Sequence, residues 1–396
     1  MNGITFQRAQ GGLKRRAEGE DHVSALLFYG PEATHLPDLL EVYSLEDAER
    51  NKVSATKTPM VHYHVAEFFR VAPGSKLIVR AVPEASYDGN FTEIKQMQQQ
   101  TAGAIRQIGV WLGHSNTAHE ANLNKACQDL AAMNMPLSAV VAYRMTKEEL
   151  AALPTLGANA YPRVSICIAQ DGGGLGASLA KKGGADKPAV TAIGACMGAI
   201  ARAKVHESIA WVEKQNMVST SYPSKSEQAF AKELDVTALV DGTLINELTP
   251  EQQEVINNKR YLFLRKYVGQ AGSYWNDSFT ADKADSDYAY IENNRTIDKA
   301  VRGIYKSLLP HLSGPLRIDA KTGSIAVGTT IFLETLAKYC LIQMERAGEL
   351  SGFEVEIDPN QSVLGSSKLN VAVKLVPMGV LRQINVNIGF TVKIEE

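Results

Sequence analysis

The residues best suited to chemistry follow the apolar run RVSICIAQ. Gly172, Gly174 and Ala177 fit G-x-G-x-x-A directly behind a strand-like stretch, where backbone amides would cradle a dinucleotide pyrophosphate at a helix N-terminus. The rest of that fingerprint is missing. SLAKK offers about one helical turn before Gly183 and Gly184 interrupt it, and no acidic residue ends a strand about twenty residues further on. No G-x-x-x-x-G-K-[ST] occurs either. The cluster reads as a flexible surface loop, with nucleotide binding as the alternative. His62-x-His64, His114 and the pair His119-Glu120 would suit zinc if alternate histidines shared a strand face. VHYHVAEFF reads instead as a helix or core segment and supplies no third ligand, which makes these structural histidines. Asp282, Asp285, Asp287 and Glu292 suggest a calcium loop, but Ala289 and Tyr290 stand where its ligands belong. A polar loop with capping aspartates remains. G-x-S-x-G is absent, so no catalytic residue, metal site or cofactor is expected and the chain does not read as an enzyme.

Two patterns call for a surface rather than a reaction. Arg295, Lys299, Arg302 and Lys306 recur at i, i+4, i+7 and i+11, on one side of a helix. They form either a solvated face or a stripe made to meet an acidic partner. At the C-terminus, in INVNIGFTVKIEE, Ile384, Val386, Ile388, Phe390, Val392 and Ile394 alternate with polar residues. Period two predicts a strand with one apolar face. Chain ends fray unless something ties them down, so this strand needs a sheet.

The elements that would position these residues can be read from periodicity. HVSALLFYG (22–30), LIVRAV (77–82), RQIGVWLG, PLSAVVAYRM and RVSICIAQ (163–170) are near-continuous apolar strands. The helices MVHYHVAEFFRV, TEIKQMQQQTAGAI and AHEANLNKACQDLAAMN lie between them. Such strands belong to a sheet covered on both faces, an α/β unit over residues 21–245, preceded by a polar, extended segment 1–20. Beyond residue 245 the character turns to α+β. Thr249, Pro250 and Gln252 spell a helix start with a capping box. YLFLRKYV is a strand. A long helix, YIENNRTIDKAVRGIYKSLL, stops at Pro310 and puts Ile291, Ile297, Val301, Ile304 and Leu308 toward the core. The next helix ends at Gly348, a natural C′ residue, and FEVEI, LNVAVKLV and the terminal segment are alternating strands.

Composition narrows the class. The 396 residues carry 41 Lys+Arg against 43 Asp+Glu, a net charge of −2, which leaves no excess to neutralise nucleic-acid phosphates. The least polar run, AVTAIGACMGAIA, has 13 residues, short of the roughly 20 needed to span a bilayer, and its Gly and Ala content predicts a tightly packed internal helix. No apolar leader opens the sequence. Cys127, Cys167, Cys196 and Cys340 are widely spaced and read as buried thiols of a protein made in a reducing cytoplasm.

From about residue 249 onward the order of elements resembles the C-terminal half of contractile phage tail sheath proteins and sheath-like proteins of contractile injection systems. The stretches that carry the resemblance are GSYWNDSFTADKADSDYAYIENNRTIDKAVRGIYKSLLP, QMERAGELSGFEVEIDPNQSVLGSSKLNVAVKLVPMG and QINVNIGFTV, with VHYHVAEFFRVAPGSKLIV in the first half. The resemblance implies a sheath-type core with residues 246–383 as a C-terminal core domain, an N-terminal arm at 1–20 and a C-terminal strand arm at 384–396. It implies subunits stacked as hexameric rings around a tail tube, with baseplate and tail terminator proteins as further partners, and assembly in a virion tail or contractile particle after synthesis in the bacterial host cytoplasm. It also implies that Ile4 and Phe6, like Ile384 through Ile394, pair with neighbouring subunits, and that contraction repacks rigid cores with the arms as hinges. A different homopolymer, such as a tube or surface lattice, and an enzyme using the Gly172 loop stay open.

Overall fold

The computed structural model describes residues 20–182, 188–218 and 232–392. Its centre is a six-stranded sheet in the order β2-β3-β1-β4-β5-β6. The strands are β1 (Ser24–Tyr29), β2 (Leu40–Val42), β3 (Leu77–Val82), β4 (Gln107–Leu112), β5 (Ser138–Tyr143) and β6 (Val164–Ile166). All neighbours pair in parallel except β2, which runs antiparallel along β3. All six residues of β1 and of β4 are buried, as their unbroken apolar runs require of a sheet covered on both faces.

The short helix α1 (Leu45–Arg50) is capped by Ser44 and leads into α2 (Pro59–Val71). On one face of the sheet, Leu26, Phe28 and Val79 meet α2 and α7 (Ile193–Arg202). On the other, Ala25, Leu27, Tyr29, Ile108 and Val110 meet α3 (Thr92–Gln100) and α4 (Glu120–Ala132). The run AVTAIGACMGAIA is the packed internal helix that its composition predicts. α7 is buried along almost its whole length, and it lies against α2 at two glycines. A Cβ on Gly194 would fall 2.3 Å from the His64 carbonyl oxygen, and one on Gly198 would fall 2.9 Å from that of Phe68.

The run RVSICIAQ is not one strand. After β6, residues 167 and 168 turn to Leu262, and β7 (Ala169–Asp171) leaves the main sheet to pair antiparallel with β8 (Thr237–Leu239). α5 (Lys147–Ala151) lies between β5 and β6, and α6 (Leu175–Lys181) follows β7. α8 (Pro250–Asn258) starts with the expected capping box, Thr249 accepting from the Gln252 amide and Gln252 from the Thr249 amide. β9 (Leu264–Tyr267) and β10 (Gln270–Trp275) form a hairpin turned at Gly269, φ +80°, of which the sequence reading recovers only the first strand.

The C-terminal part packs α9 (Ile291–Leu308) antiparallel to α10 (Val327–Arg346) and closes with the antiparallel pair β11 (Leu350–Glu356) and β12 (Ala372–Pro377), with α11 (Val363–Ser366) between them. α10 ends in a Schellman motif. Gly348, φ +71°, bonds the Glu345 carbonyl, and Glu349 bonds that of Met344. Ala300, Ala337, Leu341, Met344, Leu350 and Val355 make the local core. Val301 does not join it. It is 44% exposed, because the inward positions of α9 are Ala300, Ile304 and Leu308. Cys127, Cys167 and Cys196 are buried free thiols, whereas Cys340 is only half-buried, against Gly303.

Candidate assembly surface

The glycine cluster, exposed at Gly173 and buried at Gly174, is not an open phosphate cradle. Asp171, fully buried, accepts from the amides of Gly173, Gly174, Ala177 and Leu234. Glu233 accepts from the amides of Leu175 and Gly176 at the start of α6. The donors that would meet a pyrophosphate thus already hold two of the protein's own carboxylates, and anions belong at this helix end. The loop is an internal brace.

The histidines do not converge. His62 and His64 lie on a helix, where a spacing of two residues sends them to different faces. His62 bonds Glu49 at 2.9 Å, while His64 stacks on Phe28 and meets Tyr63 edge-on near Trp111. Burial pushes the His64 imidazole down to about 3, so it is neutral. His119 packs on Tyr87 and His114 on Trp111. In the acidic stretch, Tyr290 rather than an aspartate occupies the N-cap of α9 and makes no side-chain cap. Asp285 and Asp287 are exposed, as a polar loop requires, whereas Asp282 and Glu292 are buried and no aspartate caps α9.

The basic stripe has partners within its own chain, from the buried Arg295 to the exposed Lys306. Arg295 is 6% exposed and donates to the carbonyls of Ala203, Lys204 and Asp21. Lys299 sits between Asp21 at 2.8 Å and Glu349 at 2.7 Å. Arg302 meets Asp21 at 2.8 Å and Lys306 meets Glu20 at 2.7 Å. Burial alone would raise the Asp21 carboxyl, but the Lys299 ammonium, with Arg302 and Arg295, more than offsets it and holds that group below the usual range. The stripe fastens the first described residues of the chain to α9. A sequence reading sees the cations in register but cannot pair them with acids about 280 positions away, at Glu20 and Asp21.

Of the residues expected to form arm strands, Ile4, Phe6 and Ile394 lie outside the described residues. Ile384, Val386, Ile388, Phe390 and Val392 are described, and residues 378–392 contain no helix or strand. No sheet among the described residues receives them. Their exposure runs from 71% at Ile384 to 111% at Phe390. The segment departs from a fixed point at Arg382. That guanidinium meets both Asp277 oxygens at 3.1 Å, bonds Glu292, and lies 3.5 Å over the Tyr290 ring. Burial raises the Glu292 carboxyl even against the attraction of Arg382. Close by in sequence, β11 and β12 pair only with each other among the described residues, so each offers an unpaired outer edge. The adjoining surface is apolar, with Val376, Leu381, Tyr339 and Ile331 all more than half exposed.

A covered α/β sheet joined to a helical hairpin and a two-stranded sheet, with an unpaired apolar tail, defines the sheath-type fold. Solved structures agree over nearly the whole chain. The anti-feeding prophage helical sheath in its contracted state matches with a TM-score of 0.63 at 14% identity, covering 99% of both chains. A chain of the sixfold-symmetrised baseplate of the same particle gives 0.60 at 14% identity, with 98% of this chain and 99% of that one covered. A chain of its contracted baseplate gives 0.58 at 13% identity and 99% coverage of both. The chain itself belongs to the DUF2586 family: residues 1–279 match the family's N-terminal domain and residues 287–395 its C-terminal domain. No curated protein matches it by sequence. Among the described residues no helix is long and apolar enough to cross a membrane.

Proposed function

We propose that this chain is a structural subunit of a contractile, sheath-type tail assembly, polymerising with copies of itself as stacked hexameric rings around a tube. The observation that carries the reading is the C-terminal segment. It has strand periodicity, no strand partner among the described residues and exposed apolar side chains, on a fold shared with a helical sheath subunit. A neighbour's β11–β12 pair, with its free edges, is a suitable receiver. Strand addition there would supply main-chain hydrogen bonds for affinity and alternate side chains for register, and would cover an edge that is otherwise a liability.

The magnitudes show how finely docking of this segment is balanced. Burying Ile384, Val386, Ile388, Phe390 and Val392 yields roughly 1.5–3 kcal/mol each at most. Ordering the nine residues from 384 to 392 costs about 1–2 kcal/mol apiece. The two sums nearly cancel, so docking depends on the added hydrogen bonds and on the lattice that repeats them.

On this reading function needs no active site. Rigid cores would repack between two arrangements with the arms as hinges, because packed interfaces are bistable. The tail tube, baseplate and terminator proteins would be its other contacts. Two of the structural neighbours described above come from baseplates, so a place in the ring nearest the baseplate is the second reading. The test is deletion of residues 384–396. The truncated chain should stay folded and soluble and form no rings or tubes, while normal tubes from it would end the strand-exchange mechanism.

A further inference from the structure

The exposed segment 384–392 follows β12 closely in sequence, yet it does not pair with that strand. Val373 and Leu375 of β12 face the C-terminal core, and the outer edge of β12 has no partner among the described residues. An antiparallel turn-back with Ile384 opposite Leu375 and Val386 opposite Val373 would put both apolar rows on one face. Closure within one chain has an effective concentration in the millimolar range for a short linker, far above that of a second copy in dilute solution. Something must hold the segment away from its own strand.

The course of the chain supplies the reason. β11 begins beside Glu349, which bonds Lys299 of α9 at 2.7 Å, and leads to Ile357, whose amide donates to Glu334 in the first half of α10 at 3.0 Å. β12 returns along it, bringing Pro377 opposite Leu350 at the Lys299 end. From there the chain goes on. Five residues after Pro377, Arg382 closes on Glu292 in the first turn of α9 and on Asp277 at 3.1 Å, with its guanidinium over the Tyr290 ring. Glu292 lies seven residues before Lys299, about 10 Å further along the helix, so Arg382 stands past the end of the two-stranded sheet. A segment turning back from there would spend about five residues regaining the level of Pro377. Ile384, Val386 and Ile388 would fall beyond the sheet, and only residues 389–392 would reach β12.

We propose that the Arg382 clamp is a steering device: it carries residues 384–392 out of register with their own β12 and so commits them to the β11–β12 pair of a second copy. The proposal rests on the strand-exchange reading and adds the positioning residue that decides between self-pairing and exchange.

The test is amide hydrogen exchange of residues 384–392, read by mass spectrometry on the full-length chain in dilute, dispersed solution, with electron microscopy of the same samples once concentrated. Two variants remove the steering by different routes. Arg382→Gln/Glu292→Gln opens the clamp without leaving Glu292 charged and unpaired. Insertion of about six Gly and Ser residues between Gln383 and Ile384 keeps the clamp and restores the reach, at about 3.3 Å per extended residue. The parent segment should exchange at the unprotected rate when dilute. In the variants it should be protected about tenfold or more, independently of concentration, and rings or tubes should be lost. If the clamp variant does not fold, the insertion variant decides alone. A segment that exchanges in the insertion variant as fast as in the parent overturns the steering, and so does a parent segment already protected when dilute. The exchange readout needs no polymer, so the two failures are distinct. A parent that never polymerises ends the strand-exchange reading, whereas unprotected variant segments beside normal parent tubes end the steering alone.

Discussion

The ion pair that ties α9 to the central sheet gives a quantitative test of how the C-terminal part is mounted. Arg163, one residue before β6, places its two terminal nitrogens 2.9 Å from the two oxygens of Asp298 and donates also to the Leu137 carbonyl at 3.2 Å. The side chains are 15% and 7% exposed. Arg163→Met keeps most of the apolar stem but leaves Asp298 charged, buried and with no other hydrogen-bond partner among the described residues. Breaking a buried pair from one side costs about 3–5 kcal/mol, whereas replacing both partners by apolar groups of similar size is often near neutral. Arg163→Met should therefore lower stability by about 3–5 kcal/mol, a large share of the 5–15 kcal/mol typical of a folded domain. Arg163→Met/Asp298→Leu should recover most of that loss. Urea titration followed by tryptophan fluorescence, run as a full double-mutant cycle, separates the possibilities. Additive effects of the two substitutions, or a single-variant loss below about 1 kcal/mol, would refute the claim that this contact mounts α9 on the sheet.

Three further outcomes follow from the packing and the charges. Gly194→Ala puts a methyl group 2.3 Å from the His64 carbonyl oxygen, a backbone atom that cannot give way. Thermal unfolding should show a destabilisation of about 1–3 kcal/mol or more, the usual cost of overpacking, whereas a Tm unchanged from the parent would contradict the close α2–α7 contact. His64 is neutral in the fold, with its pKa pushed down to about 3 against about 6.5 when unfolded. The unfolded chain thus binds the extra proton, and stability drops by about 1.4 kcal/mol per pH unit as pH falls from about 6.5 toward 3. His64→Phe should flatten that part of the pH–stability curve, and an unaltered slope would show that another group dominates. Thr249→Ala removes one half of the α8 capping box and should cost about 1 kcal/mol in urea unfolding; no change there would mean that the cap adds nothing to the start of α8.

What could be read from residues alone divides along physical lines. Elements set by local pattern were legible: the apolar runs of β1, β3, β4 and β5, the capping box at Thr249, the glycine that ends α10, and the small-residue faces of α7. Choices settled by distant partners were not. The run from 163 to 170 looks continuous, yet it divides because Ile166 and Ile168 bond Leu262 and β7 pairs with β8. Gly172 and its neighbours look like a phosphate loop, because nothing nearby shows that Asp171 and Glu233 fill the amides. The basic stripe looks free for a partner until Glu20, Asp21 and Glu349 arrive from elsewhere in the chain. Arg382 gave no signal at all, since its acidic receivers lie 90 and 105 positions earlier. The terminal alternation was the opposite case. Its pattern is plain, and no sheet among the described residues satisfies it.

The central claim is that copies of this chain complete one another through that terminal segment. The most direct test is electron microscopy of the purified full-length chain across a range of concentrations, with no tube present. The account predicts hexameric rings or striated hollow cylinders in which residues 384–392 lie as a strand against a neighbouring copy. Uniform monomers at every concentration, with that segment unpaired, would contradict it.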